Sequence, residues 1–83
     1  MNQHSHQLVE EYDGLLALGL DRETDEQTII CYLQKFSDDT LLQALIKRLS
    51  DQEIEDMAQY IFSVLKKHLT EDEYHSLFLK DRL

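Results

Sequence analysis

Three short stretches of this chain share one pattern, and that pattern restricts it to a helical fold. Phe36-Ser37-Asp38-Asp39-Thr40-Leu41, Leu49-Ser50-Asp51-Gln52-Glu53-Ile54 and Leu69-Thr70-Glu71-Asp72-Glu73-Tyr74 each place an apolar residue before Ser or Thr. Three polar residues and a second apolar residue follow. A helix begins with backbone N–H groups that have no partner inside it, and a Ser or Thr hydroxyl can accept from one of them. In the second and third copies Glu53 and Glu73 can also reach back to the cap's own N–H, completing a capping box. The pairs Leu49/Ile54 and Leu69/Tyr74 sit where a hydrophobic staple would hold the entering chain. The first copy keeps the staple pair Phe36/Leu41 and the Ser37 cap, but has Thr40 in place of Glu. The pattern predicts helix starts near residues 38, 51 and 71. The caps at 37, 50 and 70 are unevenly spaced, unlike the fixed period of a solenoid.

Between these starts the apolar residues recur at helical spacing. A first helix is expected from about Ser5 to Leu18, burying Leu8, Tyr12, Leu15 and Leu16 behind a frayed stretch at residues 1–5. Gly14 lies inside that pattern, and Gly19 fits the position just past the end, with Leu20 placed to touch Leu15. Asp21–Thr24 reads as a linker. A second helix over about 25–36, capped by Thr24 or Asp25, would bury Ile29, Ile30, Leu33 and Phe36. Its run Ile29-Ile30-Cys31-Tyr32-Leu33 is apolar nearly all round, as expected of a central or interfacial segment. The third helix, 38–49, offers Leu41, Leu42, Leu45, Ile46 and Leu49.

The fourth helix, 51–69, has the clearest stripe: Ile54, Met57, Ala58, Ile61, Phe62, Leu65 and Leu69. Tyr60 and Val64 widen that face. The fifth, about 71–82, uses Tyr74, Leu77 and Phe78. Joints of one or two residues at Ser37, Ser50 and Thr70 make sharp corners. The expected fold is therefore all-α, a compact non-coaxial bundle of four or five short helices forming a single domain over residues 1–83.

Charge excludes several function classes. Seventeen acidic residues against eight basic ones give a formal charge of −9, which opposes binding to nucleic acid or to an anionic membrane. Much of the acidity has a structural account. Acids gather in first turns and bases (Lys47, Arg48, Lys66, Lys67, Lys80, Arg82) in last turns, where each stabilises its helix end. No apolar stretch reaches the roughly 18–20 residues that span a bilayer. The segment Met1–Gln7 lacks the features of a signal peptide, so a cytoplasmic location is expected. The single cysteine, Cys31, permits no internal disulfide.

Candidate chemistry is sparse. Asp21-x-Glu23-x-Asp25 begins like a calcium loop, but the positions for Gly and the closing Glu hold Glu26 and Tyr32. His4 and His6 lie near the amino terminus. His68, Asp72 and His75 have spacings that would share one helix face, except that Thr70 starts a new helix between them, so no metal site is assigned. Cys31, inside the most apolar helix, reads as a packing residue. With only two glycines the chain has neither a phosphate loop nor a nucleophile elbow. Catalytic residues, cofactor-binding residues and a cofactor are all assigned as none, and an enzyme is not expected.

Two helical binding families invite comparison. Acyl carrier proteins have this length, acidity and helix content but carry Asp-Ser-Leu at the start of a central helix. The nearest match, His75-Ser76-Leu77, lies within the last helix and lacks the Asp. A helix-turn-helix reading of the third and fourth helices would present Glu55, Asp56 and Gln59 to phosphates. From Asp39 to Leu69, with its acidic-Leu-Leu run, the Lys47-Arg48-Leu49-Ser50 joint and the long Met57–Leu65 helix, the chain is similar to a domain-of-unknown-function family of small cytosolic proteins of Bacillus-type bacteria. That resemblance implies a helical fold and a cytosolic location, and brings no functional residues with it. The expected function is a protein-interaction or regulatory module, with a homodimer or another protein as partner. The alternative is a small-ligand or metal-binding helical domain.

Overall fold

In a computed structural model of the chain, residue 14 and residues 16–81 are described. These residues are mainly helical, with no strand among them. The element order is α1 (Arg22–Phe36), α2 (Asp39–Ile46), α3 (Asp51–His68) and α4 (Glu71–Glu73), which runs on into a π-helix at Tyr74–Leu79. The chain divides into two compact units, one ending at Lys47 and the other beginning at Arg48.

In the first unit the helix expected over 5–18 falls largely outside the described residues, Leu8, Tyr12 and Leu15 among them. The part that can be placed is not helical. Gly14 is a bend, Leu16 and Ala17 have no regular structure, and residues 18–20 bend again. Gly19 does take the left-handed conformation expected of it, at φ 90°, a region where a side chain is strained.

Helix α1 begins three residues earlier than its apolar pattern suggests, because Asp21 is the cap. Its Oδ1 accepts from the Thr24 N–H at 2.8 Å, and its Oδ2 accepts from the Thr24 hydroxyl at 3.1 Å. The supposed linker is thus the cap and first turn of a helix. Glu23 and Asp25 stand in that turn, and Lys35 in the last, each with the charge the helix dipole favours.

Helix α2 also differs from expectation at its start. Asp38 is the cap, accepting from the Leu41 N–H at 3.0 Å, while the Ser37 hydroxyl donates back to the Gln34 carbonyl at 3.0 Å and closes α1. With Asp38 as cap, the staple positions become Ser37 and Leu42, so Phe36 and Leu41 no longer hold them. The helix stops at Ile46, and Lys47 and Arg48 form the turn that follows.

The second unit matches its sequence pattern more closely. Ser50 accepts from the Glu53 N–H at 3.1 Å while Glu53 accepts from the Ser50 N–H at 2.9 Å. Thr70 and Glu73 repeat the same reciprocal pair at 3.2 and 2.8 Å. Both expected capping boxes are formed. After one α turn, however, the last helix widens to π geometry and ends at Leu79, short of residue 82. Lys80 terminates it in the left-handed conformation, φ 57° and ψ 36°, donating its N–H to the His75 carbonyl.

Alanine substitutions test the assigned caps. Ser50→Ala and Asp38→Ala should each lower unfolding free energy by about 1 kcal/mol, whereas Ser37→Ala should cost only about a few tenths. Urea unfolding followed by circular dichroism distinguishes them. Equal losses for Ser37→Ala and Asp38→Ala would return the α2 cap to Ser37.

Candidate functional site

Among the described residues only two side chains are fully buried, Thr28 and Cys31, at 0% and 1% exposure. They lie three positions apart on one side of α1, and the segment before the helix is tied to that side. The Thr28 hydroxyl accepts from the Ala17 N–H at 2.9 Å and donates to the Ala17 carbonyl at 2.8 Å. Asp25 Oδ1 accepts from the Gly19 N–H at 2.8 Å. An irregular segment can be held close to a helix only if its backbone groups find partners, and Thr28 supplies both for Ala17.

This reverses the expected burial of α1. At about 100° per residue, Ile29, Ile30, Leu33 and Phe36 fall on the side opposite Thr28 and Cys31. Ile29, Ile30 and Leu33 are exposed and Phe36 is half-buried. The apolar residues of α1 surround the helix, so periodicity alone did not fix an inner side. The polar Thr28 was the informative residue, and a hydroxyl one turn before Cys31, at the edge of the apolar run, was the available signal.

In the second unit, the expected stripe of α3 is helical but largely uncovered. Ile54, Ala58, Ile61 and Phe62 are exposed, and Met57, Leu65 and Leu69 are half-buried. Tyr60 is 71% exposed and Val64 is 40% exposed. One flank of the stripe meets the π-helix. The Phe62 and Phe78 rings pack edge to face with centroids 6.2 Å apart, and Tyr74 stacks on Phe78 at 5.5 Å. Beside them lies a cleft of about 390 Å³, lined by Phe62, Leu65, Leu69 and Tyr74 with Lys66, Thr70 and Glu71.

The candidate metal cluster is not assembled. His75 Nδ1 lies 3.1 Å from both carboxylate oxygens of Asp81, because the left-handed Lys80 turns the chain back over the last helix. Among the described residues no three His, Cys, Asp or Glu side chains are grouped to hold a metal ion. His4 and His6 lie outside the described residues. Two acids of the calcium-like stretch serve the backbone instead: Asp21 caps α1 and Asp25 holds Gly19. Among the described residues no helix is long and apolar enough to cross a membrane.

With these surfaces placed, comparison with known proteins adds no further identification: no protein-family model, curated protein or solved structure matches the chain.

The role of Thr28 is testable by an isosteric change. Thr28→Val keeps the volume but leaves the Ala17 N–H and C=O without their partner, and should destabilise the chain by about 1–3 kcal/mol. Thr28→Ser, which keeps the hydroxyl, should cost clearly less. Thermal unfolding of the two variants decides it; a Val variant as stable as the wild type would remove the anchoring role.

Proposed function

We propose that this chain is a small cytoplasmic protein-interaction or regulatory module without catalytic activity, and that it works through exposed apolar helix faces. The observation that carries the proposal is the exposure of large apolar side chains on two helices. On α1 these are Ile29, Ile30, Tyr32 and Leu33; on α3 they are Ile54, Tyr60, Ile61, Phe62 and Val64. Single exposed apolar residues are common, but contiguous sets of them mark surfaces that other molecules cover. Aromatic side chains such as Tyr60 are frequent anchors in protein interfaces. The formal charge of −9 disfavours a polyanionic partner and is compatible with a protein partner.

Two finer readings belong to the same proposal. A non-coaxial arrangement of the helices within each unit is supported by the two-residue joints at Ser37–Asp38 and Leu69–Thr70. Kinship with the Bacillus-type helical family rests on residues Asp39 to Leu69. The second functional reading, a small-ligand domain, draws on the cleft beside Phe62 and Tyr74, whose lining would suit a small apolar molecule.

A photo-crosslinking amino acid placed at Tyr60 or at Leu33 tests the main reading inside cells. It should yield a discrete protein adduct at one or both positions, while the same group at the exposed polar Gln59 yields much less. Uniform, weak labelling at all three positions would overturn the interaction module. For the second reading, a set of small apolar acids and alcohols should raise the melting temperature by several degrees, an effect abolished by Leu65→Lys. No shift with any member of the set would remove it.

A further inference from the structure

The exposed face of α3 carries a pattern that selects its own partner. Ile54, Met57, Ile61 and Val64 stand at i, i+3, i+7 and i+10, the spacing of two heptads with apolar first and fourth positions. They form a seam beside the flank that meets the π-helix; Ile54, Ile61 and Val64 are 44%, 45% and 40% exposed, and Met57 is half-buried. In this heptad frame Glu53, Tyr60 and Lys67 fall at the seventh position, beside the seam, where paired helices exchange charge contacts. Ala58, small and exposed, borders the other side of the seam at its middle.

Charge is distributed along this helix with opposite signs at its ends. Asp51, Glu53, Glu55 and Asp56 occupy the start, and Lys66, Lys67 and His68 the last turn. Two copies laid parallel would bring the two acidic starts together. Two copies laid antiparallel, with the two-fold axis near Tyr60, bring Glu53 of each against Lys67 of the other. The seam layers then become Ile54 against Val64 and Met57 against Ile61, each occurring twice. A two-fold interface requires a surface complementary to itself, and this helix meets that requirement in both its apolar pattern and its charge.

We propose that α3 is a self-association surface, and that its partner is a second copy of this chain paired antiparallel through Ile54, Met57, Ile61 and Val64. This rests on the interaction-module reading and names the partner. The helix is about 27 Å long, so the interface is small and the dimer belongs to the weak, concentration-dependent class.

Sedimentation equilibrium on the full chain, carried up to about 1 mM, provides the test. The wild type should show a reversible monomer–dimer equilibrium. Ile61→Lys should raise the dissociation constant at least about 30-fold while keeping its helical circular dichroism, because Ile61 is already 45% exposed in the single chain. Orientation is read by a double-mutant cycle. Glu53→Gln retains the capping box, since Gln serves at that position, and should weaken the dimer slightly. Lys67→Glu, which sets a second carboxylate against Glu53 of the other copy, should weaken it about 3- to 10-fold. The double variant should bind more tightly than the product of the two single effects. Positions 53 and 67 lie four turns apart on one helix, about 21 Å, so coupling between them can arise only between chains.

A strict monomer throughout the range overturns the proposal, as does a dimer indifferent to Ile61→Lys. An additive cycle overturns the antiparallel pairing, and if Ile61→Lys loses its helicity the cycle decides alone. A strict monomer whose Tyr60 position crosslinks to a different protein in cells sinks the self-association while sparing the interaction module; uniform labelling sinks the module itself.

Discussion

Every helix from Asp21 to Glu73 opens with a side-chain oxygen accepting a backbone N–H: Asp21, Asp38, Ser50 and Thr70 each do this for the residue three positions on. The rest of the structure depends on that interaction. A chain with no proline and two glycines lacks the usual residues for stopping one helix and starting the next. The caps supply the punctuation instead. They fix the first residue of each helix, and with it the direction in which every later side chain points. They also account for much of the acidity, since the carboxylates of each first turn lie at the positive end of a helix dipole.

The two units differ in how directly their sequences could be read. In the second, the capping residues are Ser and Thr with Glu three positions on, a combination with few competing uses, and both starts fall where expected. In the first, Ser37 and Asp38 are adjacent and either can cap. The carboxylate of Asp38 serves α2 and the Ser37 hydroxyl is left to close α1. The same ambiguity hid the start of α1, where Asp21, Thr24 and Asp25 all qualify. Burial was harder to read than helix position. Helix α1 has apolar residues on all sides, so its inner side was set by a hydrogen-bonding partnership between Thr28 and Ala17, which hydrophobic periodicity does not encode. The shift to π geometry at Tyr74 was not legible either, since it depends on how the backbone closes around His75 rather than on residue type.

The candidate sites divide along the same line. Among the acids and histidines that resembled ligand sets, Asp21 and Asp25 are engaged by backbone groups and His75 by Asp81. The residues with surface to offer are apolar. On α3 they form two flanks, one meeting the ring cluster of Phe62, Tyr74 and Phe78 and one carrying the two-heptad seam. A helix of this kind has two jobs for one stripe: the first flank organises its own unit, and the second faces outward.

The burial of Cys31 beside Thr28 has a consequence for observing the molecule. It is the chain's single cysteine and is 1% exposed, so a thiol reagent can reach it only when the surrounding structure opens. Its modification rate therefore measures the frequency of that opening. If the rate follows global unfolding, the first unit opens with the whole chain; if it runs ahead, a local fluctuation exposes the sulfur. A single atom thus serves as an internal clock for the first unit, with no added label.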